Sequence, residues 1–277
     1  MRYRIKVGLL LALLAMGMGS QAQRPDAPTF ALPGAYLVGV QDFTVADATE
    51  ADPARPLPIS VWYPAQASDA EPVVYITQRT SDLARRAAPV ADSGAPYPLV
   101  LFSHGSGGGR SLSSFLMEQL ASYGYVVMAV DHPGNTFLDE SNPLTRAAFG
   151  ANIRVNYAQR PLDVLRLIAY AEALNAPDGA LAGMMDTDSI VVMGHSFGGY
   201  TALAVAGGQL DLNAFSGWCS APTGLAWLPG AAVLSPIAAD PRLNSARYDL
   251  CDFQDLAPVV AQLRGYDAPP DGLLPAT

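Results

Sequence analysis

Gly194-His195-Ser196-Phe197-Gly198 puts a serine at the centre of a G-x-S-x-G pentapeptide, and the residues on either side decide what that serine can do. Before it, Ser189-Ile190-Val191-Val192-Met193 is short, apolar and β-branched, the pattern of a buried strand. After it, the stretch from Gly198 to Gly207 is rich in Gly and Ala and reads as a helix packed closely on a sheet. A serine at such a strand-to-helix bend is expected to sit in a nucleophile elbow. Its backbone is strained, and Gly194 and Gly198 keep neighbouring Cβ atoms from colliding with the adjacent strand and helix. The hydroxyl is thereby lifted above the sheet edge, and the chemistry it suits is nucleophilic acyl transfer.

Acyl transfer creates a tetrahedral oxyanion that needs two preorganised N–H donors from different segments. One is expected from Phe197, directly after the nucleophile. The other is expected from the turn His104-Gly105-Ser106-Gly107-Gly108-Gly109, with Ser106 as donor and Gly105 allowing the backbone to approach. A phosphate-binding loop is the rival reading of this turn, but the Gly-Lys-Ser/Thr ending and the G-x-G-x-x-G start are both missing. The serine also needs a base. The three histidines are His104, His132 and His195, and all precede Ser196. His195 is expected to point into the fold, His104 to shape the oxyanion turn, and His132, in Asp131-His132-Pro133-Gly134, to line the pocket; none is expected to be the base. Asp240, Asp249, Asp252 and Asp255 read as solvated loop residues. No acid pairs with a histidine at metal-ligand spacing, so neither metal nor cofactor is expected.

The elements that must position these residues follow from periodicity. Residues 36–45 alternate as a strand and 57–63 form a second, with Ile59, Val61 and Tyr63 on one face, together an N-terminal antiparallel pair. Residues 66–95 form a polar, Ala-rich excursion, with helix expected around 81–88. Two continuous apolar strands, 98–103 and 125–131, flank an amphipathic helix at 112–123. A further helix is expected over 156–174, with Pro161 near its first turn. Strands alternating with helices indicate a doubly wound, mostly parallel sheet covered on both faces. Beyond Gly208 the pattern deteriorates. Trp218, Trp227 and a run of prolines suggest a lid or insertion over 209–277, with 231–234 a weak strand candidate, 256–263 a short helix and 267–277 without regular structure.

Composition sets the compartment. Met1-Arg2-Tyr3-Arg4-Ile5-Lys6 is basic, an apolar run reaches about Met18, and Ser20-Gln21-Ala22 offers small residues. This is the pattern of a secretory signal peptide over 1–22, with a secreted or periplasmic product; the apolar core is short of the ~20 residues a membrane span needs. Residues 23–277 suit one α/β domain. The formal net charge of −9 argues against nucleic acid as partner. Cys219 and Cys251 are the two cysteines. After export a disulfide between them is expected, worth roughly 3–4 kcal/mol, with free thiols the alternative.

Several motifs, in order, resemble a known group. Val61-Trp62-Tyr63-Pro64-Ala65, Leu101-Phe102-Ser103-His104-Gly105-Ser106-Gly107, Tyr123-Gly124-Tyr125-Val126-Val127, Arg160-Pro161-Leu162-Asp163 and the elbow are similar to platelet-activating-factor acetylhydrolases and dienelactone-hydrolase-like serine esterases, and more loosely to polyester-degrading cutinase-like enzymes. The resemblance implies an α/β-hydrolase fold, Ser196 as nucleophile, and the amides of Ser106 and Phe197 as oxyanion hole. Serine where true dienelactone hydrolases carry cysteine favours ordinary carboxylic esters, with a small-molecule or lipid ester as substrate. In such a family the triad acid and histidine follow the nucleophile on later loops. The expectation is therefore a fold truncated at its C-terminal side, with this stretch alone nearly inert. The alternatives are a non-catalytic binding protein on the same fold and, more weakly, a polyester- or cutinase-like hydrolase or a peptidase.

Overall fold

The computed structural model describes residues 28–46, 55–141, 143–208, 210–211 and 273–274. Two units are distinguished, Met1–Pro33 and Gly34–Thr277. Among described residues the first holds a single 3-10 turn, Thr29–Ala31, and the second carries every other element.

β1 (Leu37–Val45) and β2 (Leu57–Ala65) pair antiparallel over their full lengths, with Leu37 opposite Ala65 and Val45 opposite Leu57. β2 pairs antiparallel with β6 (Val126–Val130). β6, β5 (Tyr97–Ser103) and β7 (Met185–Gly194) then form a parallel block with β5 in the middle. On the far side, β4 (Thr80–Arg86) runs parallel to β1, and β3 (Pro72–Val74) lies antiparallel outside it. The seven-stranded order is β3-β4-β1-β2-β6-β5-β7. A separate antiparallel pair joins β8 (Leu210–Asp211) to β9 (Leu273–Leu274). This is an α/β fold.

The pleat divides the strand residues between two cores. Leu57, Ile59, Val61 and Tyr63 of β2, Leu99 and Leu101 of β5, and Val126, Met128 and Val130 of β6 face one side. Trp62, Val100, Phe102, Val127 and Ala129 face the other. A sheet buried on both faces explains why β5 and β6 are continuous apolar runs rather than alternating ones. Helix α1 (Ser114–Ser122), between β5 and β6, covers the second face with Met117 and Ala121. After the short α2 (Phe137–Ser141), helix α3 (Pro143–Asn175) covers the first face with Val164, Leu167, Ala171 and Leu174 and returns the chain across β5 to β7. Helix α4 (Phe197–Val205) follows β7 and packs against α3. The chain therefore leaves the carboxyl ends of the adjacent strands β5 and β7 toward opposite faces. That divergence opens a crevice at a topological switch point, where α/β sheets place their ligands.

Two local expectations change. Residues 81–88 are not helical, because 80–86 form β4. The buried positions of β4, Ser81 and Ala84, are three apart, which imitates a helical face. Ser81 Oγ accepts from the N–H groups of Leu83 (3.2 Å) and Ala84 (2.8 Å), an arrangement that disturbs the simple alternation of a strand. Pro161 lies deep inside α3, not near its first turn, since the helix begins at Pro143. A proline there has no N–H for the carbonyl four residues earlier, that of Tyr157. The structure supplies a replacement from outside the helix: Tyr200 Oη donates to Tyr157 O at 2.9 Å.

The signal-peptide residues, both cysteines, the strand at 231–234 and the helix at 256–263 lie outside the described residues, as does the region at 209–277 apart from β8 and β9. Among the described residues no helix is long and apolar enough to cross a membrane.

Candidate active site

Ser196 joins β7 to α4 with φ 54° and ψ −116°. A left-handed φ is costly for a residue with a side chain and persists only where surroundings over-determine it. Here the surroundings are the two flanking glycines. A Cβ on Gly194 would lie 2.2 Å from the Gly198 carbonyl, and a Cβ on Gly198 would lie 1.9 Å from Ser103 O at the end of β5. The chain can turn this sharply only because neither atom exists. Ser196 is exposed. Helical bonding begins directly after it, with Gly199 N–H donating to Ser196 O (2.8 Å). Phe197 is the first residue of α4, so its N–H belongs to the group that has no partner inside a helix.

The second turn meets the first. A Cβ on Gly105 would lie 3.0 Å from His195 Nδ1 and 3.4 Å from Ser196 Cβ, so the glycine turn after β5 rests directly against the elbow. Three donors hold the Gly105 carbonyl on the buried side: Gly108 N–H at 3.0 Å, a ring N–H of His104 at 2.7 Å, and the Arg160 guanidinium at 3.4 Å. In a trans peptide the C=O and the following N–H point in opposite directions. Fixing Gly105 O therefore turns Ser106 N–H away from those donors. The Ser106 hydroxyl is held separately, accepting from Asn135 Nδ2 at 3.2 Å.

Beneath the turn lies a polar network of buried residues. A carbonyl can only accept, so His104 carries its proton on Nδ1, toward Gly105 O, and Nε2 accepts the backbone N–H of His132 at 3.2 Å. His132 Nδ1 donates to Asp163 Oδ2 at 2.8 Å, which leaves Nε2 to accept from Ser103 Oγ at 2.8 Å. Arg55 clamps the same carboxylate with two bonds of 2.9 Å. Burial holds both imidazoles below the ordinary histidine range, helped for each by the positive Arg160, and His132 is lowered to about 4. Burial pushes the Asp163 carboxyl up, but the hydrogen bonds and charges of His132 and Arg55 outweigh it and hold the group below its usual value. Arg160 is lowered to about 9, chiefly by burial, and remains a cation at neutral pH.

Ser103, His132 and Asp163 thus form a Ser-His-Asp chain with the tautomers of a catalytic triad. Their exposures are 0%, 0% and 1%, which places the Ser103 hydroxyl beyond the reach of a substrate. The chain is a buried brace between the end of β5, the start of the loop after β6 and the middle of α3.

His132 therefore does not line a pocket; its ring is enclosed and committed on both nitrogens. His195 does not point into the fold. It is exposed, because the glycine at 105 leaves room for its ring above the turn while β7 is, among the described residues, the edge of the seven-stranded sheet. Among the described residues no histidine hydrogen-bonds the Ser196 hydroxyl. Sequence reasoning missed Ser103, Arg55, Asn135 and the role of Asp163. They lie tens of residues apart in the chain, and only the convergence of β5, β6 and α3 brings them together.

Comparison with known proteins finds similarity to ester hydrolases. Residues 73–145 match the family model for platelet-activating factor acetylhydrolase, isoform II. A platelet-activating factor acetylhydrolase from Cavia porcellus is 28% identical, covering 40% of this chain and 32% of the relative. Cutinase est2 from Thermobifida alba is 32% identical, covering 43% of this chain and 33% of the relative. The matched stretch thus spans about a third of the length of these relatives. A solved ferulic acid esterase from Streptomyces cinnamoneus is 26% identical, with a TM-score of 0.43, covering 65% of this chain and 57% of the other. The chain is similar, across the segment holding its glycine turn, to platelet-activating-factor acetylhydrolases of the α/β-hydrolase type.

Proposed function

We propose that this protein is an exported carboxylic ester hydrolase that works through a covalent acyl-enzyme on Ser196. One observation carries the reading: an exposed serine at φ 54°, with glycines at 194 and 198, rests against Gly105 at the switch point between β5 and β7. Similarity to acetylhydrolases and a cutinase supports ester bonds as substrate. A short acyl ester or an acetylated phospholipid is the substrate class proposed. The basic and apolar run at residues 2–18 supports export.

In the proposed reaction the Ser196 hydroxyl oxygen attacks the ester carbonyl carbon and its proton passes to a base. The carbonyl oxygen becomes an oxyanion that receives hydrogen bonds from the N–H groups of Phe197 and Ser106. Collapse expels the alcohol, which takes up the proton, and leaves the acyl group on Ser196. Water then adds to the acyl carbonyl and releases the acid. His104 and His132 are engaged in the buried network and His195 makes no hydrogen bond to the Ser196 hydroxyl, so the base is proposed to come from outside the described residues.

The test is labelling of the complete gene product with a fluorophosphonate, followed by peptide mapping, together with p-nitrophenyl acetate hydrolysis. Label is expected on Ser196 and not on Ser103. Ser103→Ala should still be labelled, and Ser196→Ala should lose both label and turnover. Unchanged hydrolysis by Ser196→Ala would refute the proposal.

A further inference from the structure

Arg160 is fully buried, yet among the described residues no carboxylate lies within ion-pair distance of it. Asp163, three residues along the same helix, is taken by Arg55 and His132. The guanidinium instead meets neutral acceptors. It donates to His104 O at 2.5 Å, to Asn135 Oδ1 at 2.5 Å and to Gly105 O at 3.4 Å. Its Cζ also lies over the Phe197 ring, 4.4 Å from the centroid. Its Nε has no hydrogen-bond partner among the described residues. Burying an unpaired cation is expensive, and a buried ion is ordinarily retained with a counter-charge. Among the described residues the counter-charge acting on Arg160 is that of Asp163, which is shared with Arg55 and His132 and makes no ion pair with Arg160.

The contacts point to where an unshared counter-charge would develop. Two consecutive carbonyls, those of His104 and Gly105, accept from the cation, so the N–H groups in the same two peptides, those of Gly105 and Ser106, point away from it. A donor bound to a carbonyl also polarises that peptide and strengthens its N–H as a donor. The aromatic contact places the same cation beside Phe197, whose N–H is the other proposed donor. Arg160 therefore stands behind both donors without touching the reacting atoms.

We propose that Arg160 is a positioning residue for the oxyanion hole: its buried positive charge fixes the turn at His104 and Gly105, aims the Ser106 amide outward, and stabilises negative charge that forms only during acyl transfer. This rests on the reading of Ser196, Ser106 and Phe197 given above. Pro161 supports it structurally, because the bond lost at Tyr157 O is replaced by Tyr200 of the elbow helix, which ties the Arg160 turn of α3 to the elbow.

The experiment compares Arg160→Gln and Asn135→Asp in the complete gene product, with turnover expressed per fluorophosphonate-titrated site. Arg160→Gln removes the charge. Asn135→Asp keeps Arg160 but pairs its charge with a carboxylate at the position now held by an amide oxygen at 2.5 Å; it also replaces the donor to Ser106 Oγ with an acceptor, so Ser106→Ala, which removes that bond alone, is measured beside it. For Arg160→Gln, kcat per titrated site should fall roughly 10²–10³-fold, the scale of losing an oxyanion donor, with KM within about threefold. For Asn135→Asp, kcat should fall about tenfold or more while resistance to urea is kept or raised, a split that a merely structural role would not give. Affinity for a trifluoromethyl ketone, which places an oxyanion in the hole, should fall in parallel with kcat. The proposal is overturned if kcat per titrated site stays within threefold of wild type in Asn135→Asp, whether or not Arg160→Gln folds. Ser196→Ala serves as the separate control: if it retains turnover, the underlying reading of the site fails; if it is dead while Asn135→Asp is unimpaired, only the Arg160 inference fails.

Discussion

Acid should unfold this protein earlier than its surface charges would require, and His132 sets the size of the effect. Its ring is enclosed among Ser103, Asp163 and the His104 ring, with Arg55 and Arg160 nearby, and it takes a proton only near pH 4 against an ordinary value of 6.5. Between those values the unfolded chain binds a proton that the native state refuses. Stability is therefore complete above about pH 6.5 and declines as the pH falls toward 4. One proton over two pH units corresponds to about 2–3 kcal/mol by pH 4.5. His104, also held low by burial, adds to the loss in the same direction. Asp163 is held below its ordinary value, so its own contribution is lost only at lower pH. The measurement is urea unfolding at pH 7, 6, 5 and 4.5 for the wild type and His132→Gln, which keeps one donor and one acceptor but cannot take up the proton. The wild type should lose at least the 2–3 kcal/mol assigned to His132, and the variant should show a visibly shallower decline. Parallel curves for the two proteins, or a flat wild-type profile across this window, would refute the assignment of a buried neutral imidazole at 132.

Two further outcomes follow from the elbow. Gly198→Ala adds a Cβ 1.9 Å from Ser103 O, so it should destabilise by about 1–3 kcal/mol or more and strip Ser196 of fluorophosphonate reactivity; thermal melts and labelling check both effects. Tyr200→Phe removes the donor at Tyr157 O, where Pro161 offers none, and should cost about 1–2 kcal/mol in urea unfolding, while the same change in a Pro161→Ala background should cost measurably less.

The parallel block was legible because its residues carry their own signal. Leu99 to Phe102 and Val126 to Val130 are buried on both faces, so they had to be continuous apolar runs, and the glycine spacing around Ser196 follows from contacts that admit no Cβ. The segment at 80–86 was misread because its pairing with β1 is long-range, and its buried positions three apart imitate a helix. The start of α3 was misread because proline usually marks a first turn, and nothing local announces that a tyrosine nearly forty residues further on, at 200, will supply the missing bond. The histidines show the same division. Sequence shows that no histidine lies between Ser196 and Thr277, but it could not show that His132 would be shut between Ser103 and Asp163, or that His195 would be exposed.

What the sequence by itself determined is the chemistry on offer: a serine at a bend that only glycines permit, beside a glycine turn able to present amides, within strands apolar enough to be buried. These are short-range properties, written in neighbouring residues. What only the tertiary structure decided is which polar groups stand behind that chemistry. Arg160, Asp163, Arg55 and Ser103 become partners because β5, β6 and α3 converge beneath the turn, and hydrogen bonds and buried charges act through space, whatever the distance along the chain.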